Sequence, residues 1–389
     1  MVRGQRSVAV VGAAQTPFGT RPESAPRLLR DCVREVLSSV DKGIAPADLG
    51  AGYLATLGFG GWQLGDAAAL LAEEAGRPSM PTVRVENACA SGGSAIRQAY
   101  HAIRSGEVDV ALVVGVEKMT DLTSRRRRFW LGVSGDTEWE RLAGLTFAGV
   151  YALMARRYAM DHGPLEPALA AVAVKNHANG ARNPHAHFQK VITAEDHDSS
   201  PLVADPLRLY DCSPVSDGAA GVILTRRELA ARFTDTPVYL VASGGGSDHL
   251  ALQDRESLTS LRATREAAQE AFRASPFSPK DVQFAEVHDC FTIAELLALE
   301  DLGLAPRGGA GQKELAGDTS LGGSLPVNPS GGLKAKGHPL GATGVSQVVE
   351  IFQQLRQAAG PRQVPGAERA LAHNVGGSGA TAVVHLFSR

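Results

Sequence analysis

The sequence predicts an α/β protein of two halves that repeat one order of elements, with a long insertion between them. Three observations support this reading. Short β-branched runs ending in glycine alternate with segments of helical apolar spacing. The order strand, helix, turn, strand, Gly-rich loop, buried helix occurs in the first third of the chain and returns after residue 237. Glycine supplies 43 of 389 residues, an excess suited to tight turns and close backbone approaches.

Taken in order, Val8 to Gly12 is a buried strand, and Leu28, Leu29, Cys32, Val33, Val36 and Leu37 mark a helix over Arg27 to Val40. A turn at Ala45 to Leu49 leads to a strand at Tyr53 to Leu57, and Thr82 to Val85 is the next. After Gly92 and Gly93, the apolar positions Ala95, Ile96, Ala99 and Ile103 predict a buried helix ending at Gly106. Val108 to Val116 is then a strand buried on both faces. In the second half, Val238 to Ala242 is a strand followed by glycines, Ser260 to Ala274 a helix, and Pro276 to Gln283 a turn entering a strand. Gly337 to Leu355 is a Gly-rich turn entering an apolar helix, and Arg369 to His373 and Ala380 to Phe387 are the closing strands. The texture changes from about Lys118 to Cys212, with Arg125 to Arg128, Phe129, Trp130 and helical stretches around Leu153 to Met160 and Ala168 to Asn179. An insertion of this length is commonly functional.

Composition narrows the function. Hydrophobic residues are 44% and charged residues 21%, with a net charge of −2, so wholesale disorder and a nucleic-acid or anionic-membrane surface are disfavoured. Cys32, Cys89, Cys212 and Cys290 are far apart with no C-x-x-C spacing, which argues against a structural zinc site or a disulfide framework. No signal-peptide pattern or membrane-length apolar run is present, so a soluble, cytoplasmic protein is expected.

Three loops carry chemistry. Cys89 lies in Asn87-Ala-Cys-Ala-Ser-Gly-Gly-Ser94, between a strand and a helix. The helix N-terminus favours a thiolate there, and the small neighbours admit a carbonyl; the alternative is a small core residue. His338 sits at the start of a helix in Lys334-Ala-Lys-Gly-His-Pro-Leu-Gly-Ala-Thr-Gly344, rigidly presented for proton transfer, or else hydrogen-bonded to its own turn. Glu286-Val-His-Asp-Cys-Phe291 places His288 and Cys290 on one side of an extended segment. A buried cluster and a metal site without evident third and fourth ligands are the other readings of it. If the halves are related by a pseudo-twofold, Cys89 and His338 occupy equivalent strand-to-helix turns, and covalent acyl transfer through Cys89 follows.

These motifs resemble those of the thiolase superfamily. Asn87 to Gly93 is similar to its nucleophile loop, Gly337-His-Pro339 to its histidine motif, and Val8 to Gly19 to its opening strand. His288 to Phe291 and Asp211 to Ala220 resemble the sterol-carrier-protein-type branch. Thr292 to Gly303 and Pro326 to Gly344 are very like the acetoacetyl-CoA thiolases of archaea and their bacterial relatives. The resemblance covers about residues 7 to 387. It implies a five-layered αβαβα fold, with residues 1–117 (and 214–236) as one half, 118–213 as a loop domain over the CoA site, and 237–389 as the other half.

It implies that Cys89 is acylated, that His338 takes its proton and polarises the thioester carbonyl, and that Cys290 moves the proton at Cα of the incoming acetyl group. His288 would stand where many thiolases have an asparagine holding a water for the first oxyanion hole. Backbone N–H groups of Cys89 and Gly376 would form the second. Ser213 falls at a CoA-contacting position, and Arg125 and Arg128 are candidates for the CoA phosphates, with a solvated face as the alternative. No metal and no tightly bound cofactor are expected, CoA and acyl-CoA being substrates.

One departure is Asn374-Val-Gly376 where many thiolases have Cys-x-Gly; Cys290 offers a replacement. The chain stops at Arg389, so no appended lipid-transfer domain is expected. The leading expectation is an acyltransferase, an acetyl-CoA C-acetyltransferase or 3-ketoacyl-CoA thiolase, acting as a homodimer or homotetramer. The alternatives are a thiolase-like acyltransferase with other acceptors, an idle scaffold, or a CoA-thioester retro-aldolase working with an OB-fold (DUF35-like) partner.

Overall fold

In the computed structural model, residues 7–389 are described. The first half runs β1 (Val8–Gln15), α1 (Ala25–Ser38), β2 (Ala51–Ala55), α2 (Ala68–Glu74), β3 (Thr82–Val85), α3 (Ser91–Ser105) and β4 (Val110–Glu117). The insertion holds α4 (Ser124–Gly132), α5 (Phe147–His162), α6 (Glu166–Gly180), α7 (Ala194–Ser199) and the short strands β5 (Leu202–Ala204) and β6 (Leu207–Arg208). β7 (Gly218–Arg226) and α8 (Ala230–Phe233) complete the first half. The second half runs β8 (Val238–Ser247), α9 (Arg262–Arg273), β9 (Phe284–Glu286), α10 (Thr292–Asp301), α11 (Ala310–Ala316), α12 (Leu340–Leu355), β10 (Arg369–Gly376) and β11 (Thr381–Ser388).

The strands join in one nine-stranded sheet of order β3-β2-β4-β7-β1-β8-β11-β10-β9. From its middle outward, the first half reads β1-β7-β4-β2 and the second β8-β11-β10-β9, the same sequence of roles. The parallel β2–β3 pairing has its counterpart in an isolated parallel bridge from Ala285 to Val327. Antiparallel pairing of β1 with β8, over Val8, Ala9 and Val10, joins the halves. Apolar side chains of α3 and α12 share one core with strands of both halves, while α1 covers the outer face of the first half and α9 and α10 that of the second. The layers are therefore αβαβα.

Two local expectations are corrected. The strand placed at Tyr53 to Leu57 is Ala51–Ala55, because Thr56 Oγ1 and the Leu57 N–H turn inward to the buried Glu117 carboxylate at 3.1 and 2.9 Å. The glycines after Ala242 continue β8 to Ser247. They are bare because α9 presses on the strand: a Cβ at Gly244 would lie 2.0 Å from Ala267 O.

The insertion leaves and returns at one point, since Glu117 pairs with Gly218 across β4 and β7. Asp217 clamps its two ends, accepting from Lys118 Nζ (2.7 Å), Thr120 Oγ1 (2.6 Å) and the Met119 N–H (2.6 Å). These bonds hold its carboxyl below the usual range against the opposing effect of burial. Among the described residues, no helix is long and apolar enough to cross a membrane.

The N-terminal turns of α3 and α12 cross backbone to backbone. A Cβ on Gly92 would lie 2.8 Å from Val345 N, and one on Gly344 only 2.3 Å from Gly93 N and 2.2 Å from Asn374 Oδ1. Gly344→Ala is expected to cost about 3 kcal/mol of stability or more, since the clash is with backbone that cannot rotate away. A urea midpoint unchanged from the parent protein would contradict this packing.

Candidate active site

Cys89 sits in the turn from β3 into α3, two residues before the helix begins. Ser91 Oγ accepts from the Asn87 N–H at 2.8 Å and donates to Ala88 O at 2.6 Å, which closes the turn and holds Ala88 at φ +48°. A non-glycine residue there stores backbone strain that the surroundings must over-determine. His338 occupies the matching turn into α12, after Gly337 at φ +115°. The third loop follows β9. Its Asp289 carboxylate accepts from the Leu333 and Lys334 N–H groups at 2.7 and 3.2 Å and from Asn176 Nδ2 at 2.8 Å. That binds the His288–Cys290 segment to the turn that carries His338.

The two turns do converge. One ligating atom each from Cys89, His288 and His338 lies within 4.8 Å of the others, and the two imidazoles meet edge to face at 5.1 Å. A cavity of about 100 Å³ opens on Cys89 and His338, lined also by Met119, Leu131, Phe147, Tyr151, Ser213, Cys290, Phe291 and Gly377, with His288 packed against His338 outside that lining. Ser213 reaches it by donating its N–H to Cys290 O at 3.0 Å. Arg125 and Arg128 do not reach it. They stand exposed on α4, whose Leu131 forms part of the cavity wall.

The groups are neutral at rest. Burial pushes the Cys89 thiol up to about 12, against the pull of the Gly377 and Cys89 N–H groups. Burial likewise takes His338 down to about 3 and His288 well below its ordinary range, His338 and His373 adding to the latter. Burial therefore opposes the thiolate expected from the helix N-terminus, while the two N–H dipoles favour it. The N–H beside the resting sulfur is that of Gly377. Gly376 is the last residue of β10, paired with Thr381.

Hydrogen bonds fix how the imidazoles are protonated. Thr343 Oγ1 gives its one proton to Pro339 O at 2.8 Å, so at 2.7 Å from His338 Nδ1 it accepts. His338 therefore carries its proton on Nδ1, and its Nε2 lone pair is free. Asn374 stands between the halves: Oδ1 accepts from the Gly93 N–H at 3.0 Å, and Nδ2 faces Cys89 O at 3.0 Å and His288 Nδ1 at 3.2 Å. Buried His288 Nε2 has no partner among the described residues.

The sequence reading gave no role to Tyr151, Thr343 or Gly377 and treated Asn374 as a missing cysteine. Tyr151 is buried and stacks on Phe291 at 4.7 Å. Its hydroxyl donates to Gly377 O at 3.4 Å and stands beside Cys290, where it eases the thiol downward against burial, which drives it strongly up. A tyrosine inside an insertion helix carries no motif. Thr343 and Gly377 lay in glycine-rich stretches, where spacing marks a turn and not a proton's direction.

Residues 8–228 match the family described as the thiolase N-terminal domain, and residues 244–389 that described as thiolase C-terminal domain-like. A relative from Methanothermobacter thermautotrophicus named acetyl-CoA acetyltransferase is 46% identical over 387 residues, 99% of this chain and all of that one. Sterol carrier protein 2 of Gallus gallus is 33% identical over 99% of this chain and 72% of its own length. Among solved structures, the Ltp2-ChsH2(DUF35) aldolase superposes with a TM-score of 0.83 over 97% of each chain, at 23% identity, a likeness of fold.

Tyr151→Phe removes the hydroxyl that supports a thiolate on Cys290. Since one such bond is worth about 1 kcal/mol, alkylation of Cys290 at about pH 9 is expected to slow roughly 3- to 10-fold. Peptide mass spectrometry after timed iodoacetamide treatment reads this, and an unchanged rate would remove Tyr151 from the thiol's support.

Proposed function

This chain belongs to the thiolase family, and from that premise we propose that it moves an acetyl or acyl group between CoA thioesters through an acyl-enzyme on Cys89. The observation that carries the reading is the convergence of Cys89, His288 and His338 beside one apolar cavity that Cys89, His338 and Cys290 line. Synthesis of acetoacetyl-CoA and thiolysis of 3-ketoacyl-CoA are the two directions of this chemistry.

The Cys89 proton passes to the free Nε2 of His338 as sulfur attacks the thioester carbonyl. Backbone N–H groups of Cys89 and Gly377 stabilise the oxyanion of the tetrahedral intermediate. CoA leaves as the thiol, taking its proton from Cys290, which is left as the thiolate while His338 keeps the Cys89 proton. A second acetyl-CoA then enters with its thioester oxygen toward the His288 and protonated His338 ring nitrogens. The Cys290 thiolate takes a proton from Cα. The resulting carbanion attacks the acyl carbon on Cys89, whose sulfur departs and recovers its proton from His338.

The finer assignments extend this reading. Residues 118–213 would form the loop domain over CoA, with Ser213 at the mouth of the cavity and Arg125 and Arg128 outside it toward the CoA phosphates. No metal and no resident cofactor take part. The enzyme would act in the cytoplasm, where its four free cysteines stay reduced, as a homodimer or homotetramer. The fold shared with the Ltp2-ChsH2(DUF35) aldolase favours one second reading, a CoA-thioester retro-aldolase assisted by an OB-fold partner. That reaction forms no acyl-enzyme.

Intact mass spectrometry with acetyl-CoA and longer acyl-CoAs separates the two. The parent protein is expected to gain one acyl group and Cys89→Ser none; a parent that stays unmodified would favour the aldolase. Cys290→Ala is expected to acylate near normally while acetoacetyl-CoA synthesis falls roughly 10²- to 10⁴-fold, the contribution of a positioned base. Near-normal synthesis by this variant would refute the role given to Cys290.

A further inference from the structure

The three groups gathered at the site, one thiol and two imidazoles, are also ligands of Zn²⁺ and similar ions, which accept sulfur and nitrogen donors in a tetrahedral set. Their ligating atoms lie within 4.8 Å of one another, and an ion binding all three would draw them together by about 1 Å. We propose that Asn374 is a positioning residue that locks His288 in its Nε2–H form, and that this lock both holds an N–H donor beside Cys89 and His338 and denies the trio to soft divalent cations.

The amide cannot be turned round. Oδ1 must accept from the Gly93 N–H at 3.0 Å, and Nδ2 must donate to Cys89 O at 3.0 Å. A flipped amide would face donor against donor and oxygen against oxygen at two buried positions. The second hydrogen of Nδ2 therefore points to His288 Nδ1 at 3.2 Å, and that nitrogen must be the acceptor. The proton of the neutral ring sits on Nε2, the buried atom without a partner among the described residues. His338 has the opposite form, because Thr343 takes its Nδ1 proton. One imidazole thus offers the cluster a lone pair and the other an N–H.

A metal ligand must present a lone pair. Cys89 can do so by losing its proton to solvent on binding, and His338 Nε2 already does. His288 Nε2 can do so only if its proton moves to Nδ1, where it would meet the Asn374 N–H head on. In the usual metal site the second nitrogen of a ligating histidine donates to a carboxylate or a carbonyl. Asn374 offers the reverse polarity at the same place.

Asn374→Asp reverses that polarity with one atom changed. Its carboxylate still accepts from Gly93 and now also accepts from His288 Nδ1–H, which frees Nε2 as a ligand, at the cost of the bond to Cys89 O, which then faces a carboxylate oxygen. The full-length variant is expected to bind Zn²⁺ roughly 10- to 100-fold more tightly than the parent, the range over which such neighbouring groups act on metal affinity. Co²⁺ should give it a thiolate-to-cobalt charge-transfer band that the parent lacks at the same concentration and that Cys89→Ser in the same background abolishes. Equal affinity in parent and variant, or no gain by a variant with a parental unfolding curve, would overturn the lock. Should the variant not fold, ¹⁵N-histidine NMR of the parent decides, with the His288 signal assigned by its loss in His288→Asn: protonation on Nε2 supports the lock and protonation on Nδ1 refutes it.

The kinetic arm alone rests on the thiolase reading. Loss of the N–H donor in Asn374→Asp should slow acetoacetyl-CoA synthesis roughly 10²- to 10³-fold without added metal, and unchanged synthesis would refute the donor role. A parent protein that forms no acetyl-enzyme would instead refute the thiolase reading, while the cobalt and NMR results stand by themselves.

Discussion

The backbone crossing of α3 and α12 is the constraint on which the rest depends. Two helices with ordinary side chains are held apart by them; here Gly92 and Gly344 leave the contact to backbone, a Cβ on either lying within 3 Å of backbone of the other helix. Each helix begins within a few residues of the crossing, so the turns that precede them are forced together. Cys89 belongs to one turn and His338 to the other. The buried Glu117 carboxylate ties the arrangement to the sheet, accepting from the Phe59 N–H at 2.8 Å and the Gly341 N–H at 3.0 Å. One carboxylate from the first half thereby fixes the first turn of the second half's central helix.

What that crossing creates is a dry site, and dryness sets its electrostatics. A charge moved from water into such surroundings is heavily penalised unless it is paired, so thiol and imidazoles rest neutral. Reactivity then depends on where protons point and not on standing charge. The polar atoms around the site do this ordering: Thr343 orients His338, Asn374 bridges Gly93, Cys89 and His288, and Tyr151 stands at Cys290. Donors held in place before charge develops need no reorganisation when it does.

The insertion supplies the remaining wall and is anchored on both sides. Asp217 closes its entrance and exit on each other. On its inner side, α6 presents Lys175 to Glu295 and Glu314, and Asn176 to Asp289 and Glu295, all buried. Burial pushes both Asp289 and Glu314 upward, against the N–H donors at Asp289 and the Lys175 ammonium at Glu314. Removing one member would strand its neighbours without partners, a loss far larger than the net worth of any one pair. The network fixes the His288–Cys290 loop relative to α6.

Much of this was legible in the residues themselves. Periodicity and glycine placement gave the alternation of strands and helices, the repeat of the two halves and the extent of the insertion, because a buried strand or helix must show its burial in its own composition. The loops around Cys89, His338 and His288 were legible too, since a nucleophile, a base and small neighbours at strand-to-helix turns have few structural reasons to coincide. Tertiary structure decided the rest. Whether Cys89 is thiol or thiolate depends on the water excluded by residues hundreds of positions away, which the local helix dipole does not register. That Asn374 orients His288, that Gly377 faces the resting sulfur, and that Tyr151 reaches Cys290 are contacts between segments the chain brings together only on folding. A hydrogen bond's direction is set by both partners and by everything else each must satisfy, and no spacing along one segment encodes that.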